Sequence, residues 1–184
     1  MFRSWFAAGV GLLATSAVAL AETPQSGGTL NLVIQPEPPS LMLPVVQNGP
    51  TQMVAGNIYE SLYRYDTDLD PIPNLATGHE VNEDGTVYTF TLKEGVVWHD
   101  GEPFTAEDVV FTADVFLRET HPRFRVSLAH VETIEALDDY TVRFTLKQPF
   151  GPFMGIFEVG TMPLVPAHIY EGVEDFRNAA ENNT

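Results

Sequence analysis

VWHDGEPFTAEDVVFT, residues 97–112, is the stretch whose reading decides the fold. A Trp, a His and an Asp stand side by side and are followed at once by the signals of a helix start. Adjacent residues on an extended chain point to opposite sides, so His99 and Asp100 do not form a dyad by sequence proximity alone. Asp100-Gly101 reads as a turn, and Glu102-Pro103 steers the chain out of it. Trp98 is expected to be buried at the strand end. Thr105-Ala106-Glu107-Asp108 has the form of a capping box, with a hydroxyl for the third helical amide and an acid that reaches back. Two acids in the first turn also suit the helix dipole. Val109, Ala113, Phe116 and Leu117 then make an apolar stripe, which predicts a helix to about Arg118 that ends before Pro122.

Working outward, the helix is flanked by two strand patterns. Asn82-Glu83-Asp84-Gly85 supplies a turn into residues 87–93, VYTFTLK, where Tyr88, Phe90 and Leu92 share one face. Asp138-Asp139 turns into residues 140–147, YTVRFTLK, where Val142, Phe144 and Leu146 alternate with polar side chains. The tetrapeptide FTLK occurs in both, as two half-buried strands of one sheet face would use, and is not read as a duplication. The helix is expected to pack its stripe on the sheet that these strands make.

Nearer the start, residues 1–21 combine one positive charge (Arg3), an apolar run and Ala19-Leu20-Ala21, the pattern of a secretory signal peptide cleaved after Ala21. The apolar run is too short for a confident membrane anchor. Residues 22–28 read as a flexible leader, Leu30 to Ile34 as a buried strand, and Pro36, Pro38 and Pro39 stop it. Val54, Ile58 and Leu62 recur at helical spacing, predicting a helix over 51–63 with Asn48 or Thr51 as its cap. Asp66 to Pro73 reads as a loop, and Ala167 to Tyr170 as a short helical piece.

Composition narrows the function. The formal net charge is −16, from 25 Asp and Glu against nine Lys and Arg, which argues against a nucleic acid or anionic membrane partner. There is no cysteine, hence no disulfide and no thiol for a lipid anchor after the leader. The chain after the leader suffices for one hydrophobic core, so one domain is expected. The five His are scattered without metal-ligand spacing, and no nucleophile elbow, dinucleotide fingerprint or P-loop occurs. No catalytic residue, metal site or cofactor is expected. Arg123-Phe124-Arg125 is the place where two positive charges interrupt the acidic background on a predicted loop, either to meet a carboxylate ligand or simply to be solvated.

Residues 88–111, YTFTLKEGVVWHDGEPFTAEDVVF, resemble the signature region of bacterial extracellular solute-binding proteins of family 5, the peptide and nickel binding group. Gly27-Gly28-Thr29-Leu30, Asn57 to Leu62, Asn74-Leu75-Ala76 and Met162 to Pro166 resemble the same family in the same order. The resemblance implies an α/β fold of the type II periplasmic-binding-protein kind: a first lobe with its attached subdomain, built as a mixed sheet with packed helices. It implies a monomeric periplasmic carrier that closes two lobes on a small-molecule or peptide ligand and delivers it to ABC permease subunits, without chemistry of its own. Di- or oligopeptides are the expected cargo, a nickel chelate, an opine or a sugar the alternative. A secreted hydrolase with catalytic residues beyond Thr184, or a non-functional fragment, are the readings of other classes. Family members run to several hundred residues, so residues 22–184 are expected to be the N-terminal lobe, truncated before the second. In the family the loop after the first strand lines the cleft, and gapless matching back from Asn57 places it at Gln47, Asn48 and Gly49. A second cleft contact of oligopeptide binders falls near Phe124 and Arg125. An acid of the family is replaced here by Gln47, and no Tyr stands at the second position.

Overall fold

A computed structural model describes residues 27–29 and 31–183 of the chain. The expected signal peptide, most of the 22–28 leader and Leu30 lie outside the described residues. The chain divides into two units, Met1–Val33 and Ile34–Thr184. The described part of the first contains no regular element.

The second unit is organised on a four-stranded antiparallel sheet in the order β3-β4-β6-β5, formed by Ala76–Val81, Val87–Leu92, Thr141–Leu146 and Val131–Asp138. The two FTLK strands are direct neighbours, with Tyr88 opposite Phe144 and Phe90 opposite Val142. Their period-2 pattern puts Tyr88, Phe90, Leu92, Val142, Phe144 and Leu146 on one buried face, as expected. That face is filled by aromatic contacts: Phe90 meets Phe157 at 4.5 Å and Phe144 at 5.6 Å between ring centroids, and Tyr88 meets Phe153 at 4.7 Å.

The expected helix is present and runs unbroken through Ala106–Val110 (α2), a wider π-helical stretch Phe111–Phe116, and Leu117–Thr120 (α3). Val109, Ala113, Phe116 and Leu117 are fully buried against the sheet core. Its first amide, Ala106 N–H, donates to the Asp139 carbonyl at 2.8 Å, which anchors the helix start on the turn between β5 and β6.

Four expectations give way. The helix expected over 51–63 is α1, Gly49–Ala55; the Asn57 side-chain amide donates to the Met53 carbonyl at 2.9 Å, residues 60–62 belong to no helix or strand, and Tyr63 begins a strand. There the backbone is claimed by tertiary partners: Leu164 N–H donates to the Glu60 carbonyl (3.0 Å), Tyr63 N–H to that of Phe157 (2.9 Å), and Asn74 N–H to that of Leu62 (3.0 Å). The expected loop 66–73 is confined to residues 66–70, the turn of a hairpin of β1, Tyr63–Tyr65, and β2, Pro71–Pro73, folded by the Asp66 carboxylate, which accepts from the amides of Asp68 (2.9 Å) and Asp70 (3.0 Å). Residues 31–34 join no ladder among the described residues, and Leu32 and Val33 are exposed: alternation marks a strand only where a neighbour takes its N–H and C=O groups. Arg123 to Arg125 lie on helix α4, Pro122–Leu128, because Pro122 occupies a first-turn position, where its missing N–H costs nothing, and the buried His121 ring supplies the cap, Nδ1 accepting from Phe124 N–H at 3.1 Å.

Candidate ligand pocket

The turn in the opening stretch is built as its residues dictate. Gly101 has φ +95°, a conformation that favours glycine, and its N–H donates to the Trp98 carbonyl at 3.0 Å. The Asp100 carboxylate accepts from Glu102 N–H at 3.1 Å, closing an Asx turn. Trp98 N–H donates to the Glu102 carbonyl (2.8 Å) and Phe104 N–H to that of Val96 (3.0 Å), so residues 96–104 form a tight reversal that leads into α2.

Asp108 does more than cap. Its carboxylate, only 4% exposed, accepts from Thr105 N–H (2.9 Å), the acid half of the expected capping box, from the Trp98 indole N–H (3.2 Å) and from Ala167 N–H (2.8 Å). One turn on, the buried Thr112 hydroxyl donates to the Val165 carbonyl and accepts from Val165 N–H, both at 3.1 Å. Side chains four apart on one helix face thus hold the backbone of residues 165–167, which leads into α5, Ala167–Tyr170. Asp108 and Thr112 thereby tie together segments far apart in sequence.

Between those segments lies a cavity of about 570 Å³, within the range of small-molecule sites. Tyr59, Trp98, Phe104, Leu164, Ile169 and Tyr170 supply much of its apolar wall. Tyr59 and Tyr170 converge on Met42, their hydroxyls donating to its Sδ at 2.9 and 3.7 Å. Burial, then the neighbouring Tyr170, pushes the Tyr59 phenol up to about 12, so it stays neutral. Carboxylates of Glu60, Asp100 and Glu181 stand among the lining residues. Asp100 also meets His168 Nε2 at 2.7 Å, and that hydrogen bond, followed by the one from the Glu102 amide, holds its carboxyl below the ordinary range. Trp98, expected to be buried, is half-buried and lines this cavity.

The residues expected at the ligand stand apart from this cavity. Asn48 is the N-cap of α1, its Oδ1 accepting from Thr51 N–H at 2.9 Å; Gln47 is partly buried, its amide donating to the Pro44 carbonyl at 3.2 Å; Gly49 is exposed. Arg125 is exposed on α4, whereas Phe124 is fully buried in the core and presents no surface to a ligand. None of these five lines the cavity. Sequence reasoning missed the cavity because its walls come from five separated stretches. The available signal was Trp98 ten residues before Asp108, an indole donor and a carboxylate across one turn and one helix start. Among the described residues no group of three or more His, Asp or Glu converges as a metal site, and no helix is long and apolar enough to cross a membrane.

Residues 70–183 match the model of bacterial extracellular solute-binding proteins, family 5 Middle. Protein XP55 of Streptomyces lividans is 41% identical over 128 residues, covering 69% of this chain and 23% of that protein. The dipeptide-binding protein of Escherichia coli K12 is 39% identical over 101 residues, 45% of this chain and 19% of that protein. The structure of the PBP AgaA from A. tumefaciens R10, in complex with agropinic acid, superposes with a TM-score of 0.69 at 30% identity, over 78% of this chain and 29% of that one. The chain thus spans less than a third of the length of these proteins, and its fold is part of a type II periplasmic-binding-protein lobe. With the signature turn, the capped helix and the antiparallel sheet in that fold, the chain belongs to the family 5 bacterial extracellular solute-binding proteins.

Proposed function

We propose that residues 22–184 serve as the first lobe of a periplasmic carrier that captures a di- or oligopeptide and hands it to the permease subunits of an ABC importer, without catalysis. The observation that carries this reading is the family match over residues 70–183, and the identity to a dipeptide-binding protein favours peptide over other cargo. Residues 1–21 act as the export signal, cleaved after Ala21. Gln47, Asn48 and Gly49, in a solvent-accessible loop at the start of α1, and the exposed Arg125 face the cargo; a peptide there is held by backbone pairing and water, which tolerate varied side chains. A second reading keeps the fold and changes the cargo to an opine, favoured by the structure solved with agropinic acid.

Native mass spectrometry of the endogenous protein released from the periplasm tests both. The expected result is a species starting at Glu22 with a peptide adduct that leaves on unfolding. An opine-sized adduct would replace the peptide reading with the second, and a bare species with no adduct under any loading condition would overturn the carrier reading. Turnover of an ester or peptide by the protein would overturn the absence of catalysis.

A further inference from the structure

We propose that the cavity beneath the 98–101 turn binds small amphipathic organic cations: an amine or quaternary ammonium group carried on an aromatic or branched apolar body. The cavity holds about 570 Å³, more than a single-ring ligand needs, and its mouth is apolar, with Ile58, Val97 and Ile169 all exposed there. An apolar body gains by covering that surface. What selects the charge is the remainder of the lining. Among the described residues it carries the carboxylates of Glu60, Asp100 and Glu181 and no Lys or Arg.

These acids are positioned by the fold. Glu60 accepts from the Asn74 amide at 3.3 Å, and Asp100 is fixed by its turn and by His168. The imidazoles at the rim are His99, in the lining, and His168, bonded to Asp100. On a chain of net charge −16 this arrangement repels anions and draws cations.

Trp98 adds a specific term. Its indole N–H donates to the buried Asp108 carboxylate at 3.2 Å, which pushes electron density into the ring and makes it a better partner for a cation. Tyr59, its phenol kept neutral, is a second aromatic surface in the same wall. This site is separate from the 47–49 loop and does not depend on the transport reading.

The chain has two Trp, Trp5 and Trp98, and in the protein starting at Glu22 Trp98 is the sole indole emitter. Titrating that protein with phenethylamine, phenethyl alcohol and phenylacetate compares a cation, a neutral molecule and an anion of one size. The expected result is saturable quenching by the amine, roughly tenfold or more weaker binding of the alcohol and none of phenylacetate. Added Glu60→Gln or Asp100→Asn changes should weaken the amine several-fold and leave the alcohol unchanged, and raised salt should act the same way. Equal binding of amine and alcohol, or acid variants that bind the amine as tightly as their parent, would overturn the proposal. So would a fluorescence change that follows protein concentration and tracks dimer formation in sedimentation velocity, since a second copy would then be the occupant. No cargo peptide is used, so failure here leaves the carrier reading standing, and failure to capture cargo leaves this site standing.

Discussion

Two helix starts in this chain use the same device with different consequences. At α1, Asn48 lies exposed and its side chain accepts one hydrogen bond, from Thr51 N–H, three residues away. At α2, Asp108 caps as well, but it is buried and accepts from Trp98 and Ala167 besides Thr105. The first cap serves its own helix. The second joins the signature turn, the helix and the segment leading to α5, and it shapes a cavity that no single stretch contains. Burial makes the difference, because a carboxylate held out of water depends on the protein donors it accepts from.

The largest expected effect tests that contrast directly. Asp108→Ala orphans three donors, and urea denaturation should show a loss of roughly 3–5 kcal/mol, with Trp98 emission shifted toward that of solvated indole. Asp108→Asn, which keeps one acceptor, should fall between the two.

A third helix cap, His121, sharpens the comparison through pH. It is fully buried and neutral, and desolvation lowers it from 6.5 to about 4. The unfolded chain therefore takes up a proton that the folded one refuses. Stability should be complete above about pH 6.5 and decline as pH falls toward about 4, by roughly 3 kcal/mol in total. His121→Asn, which retains a capping side chain without the titration, should flatten that slope in urea melts taken across the range.

Thr112→Val removes the hydroxyl that serves both backbone groups of Val165 and should cost about 1–3 kcal/mol by the same measurement. Asn48→Ala, the exposed cap, should cost about 1 kcal/mol, confined to faster amide exchange in the first turn of α1. A loss there as large as that of Asp108→Ala would break the contrast. The smallest effect belongs to the exposed Asp100–His168 pair, where Asp100→Asn should move the melting curve least of these variants near neutral pH. Because the Asp100 carboxyl is held below 3.8, its contribution is present above that value and lost only as pH falls below it, which carboxyl NMR titration will show as a midpoint under 3.8.

Different parts of the molecule were legible to different depths. The turn at Asp100-Gly101, the cap at Thr105 to Asp108 and the buried faces of β4 and β6 were readable from residues close together, because each rests on period or on one local hydrogen bond. Residues 60–63 continue the apolar spacing of α1 and nevertheless leave the helix, since their backbone groups pair with Asn74, Phe157 and Leu164. Phe124 shows the same limit at the site: between two arginines it resembles a ligand contact, yet as part of α4 it turns inward to the core.

By itself the sequence determined the strand, turn and capped helix of residues 87–120, the family to which they belong, and an acidic, cysteine-free composition. Only the tertiary structure decided that Asp108 would reach Ala167, that Thr112 would hold Val165, and that Tyr59, Trp98 and Tyr170 would enclose one cavity. The physical reason is range: a cap or an alternating strand is specified within a few residues. The partner of a buried donor depends on which distant backbone the closing core brings within about 3 Å.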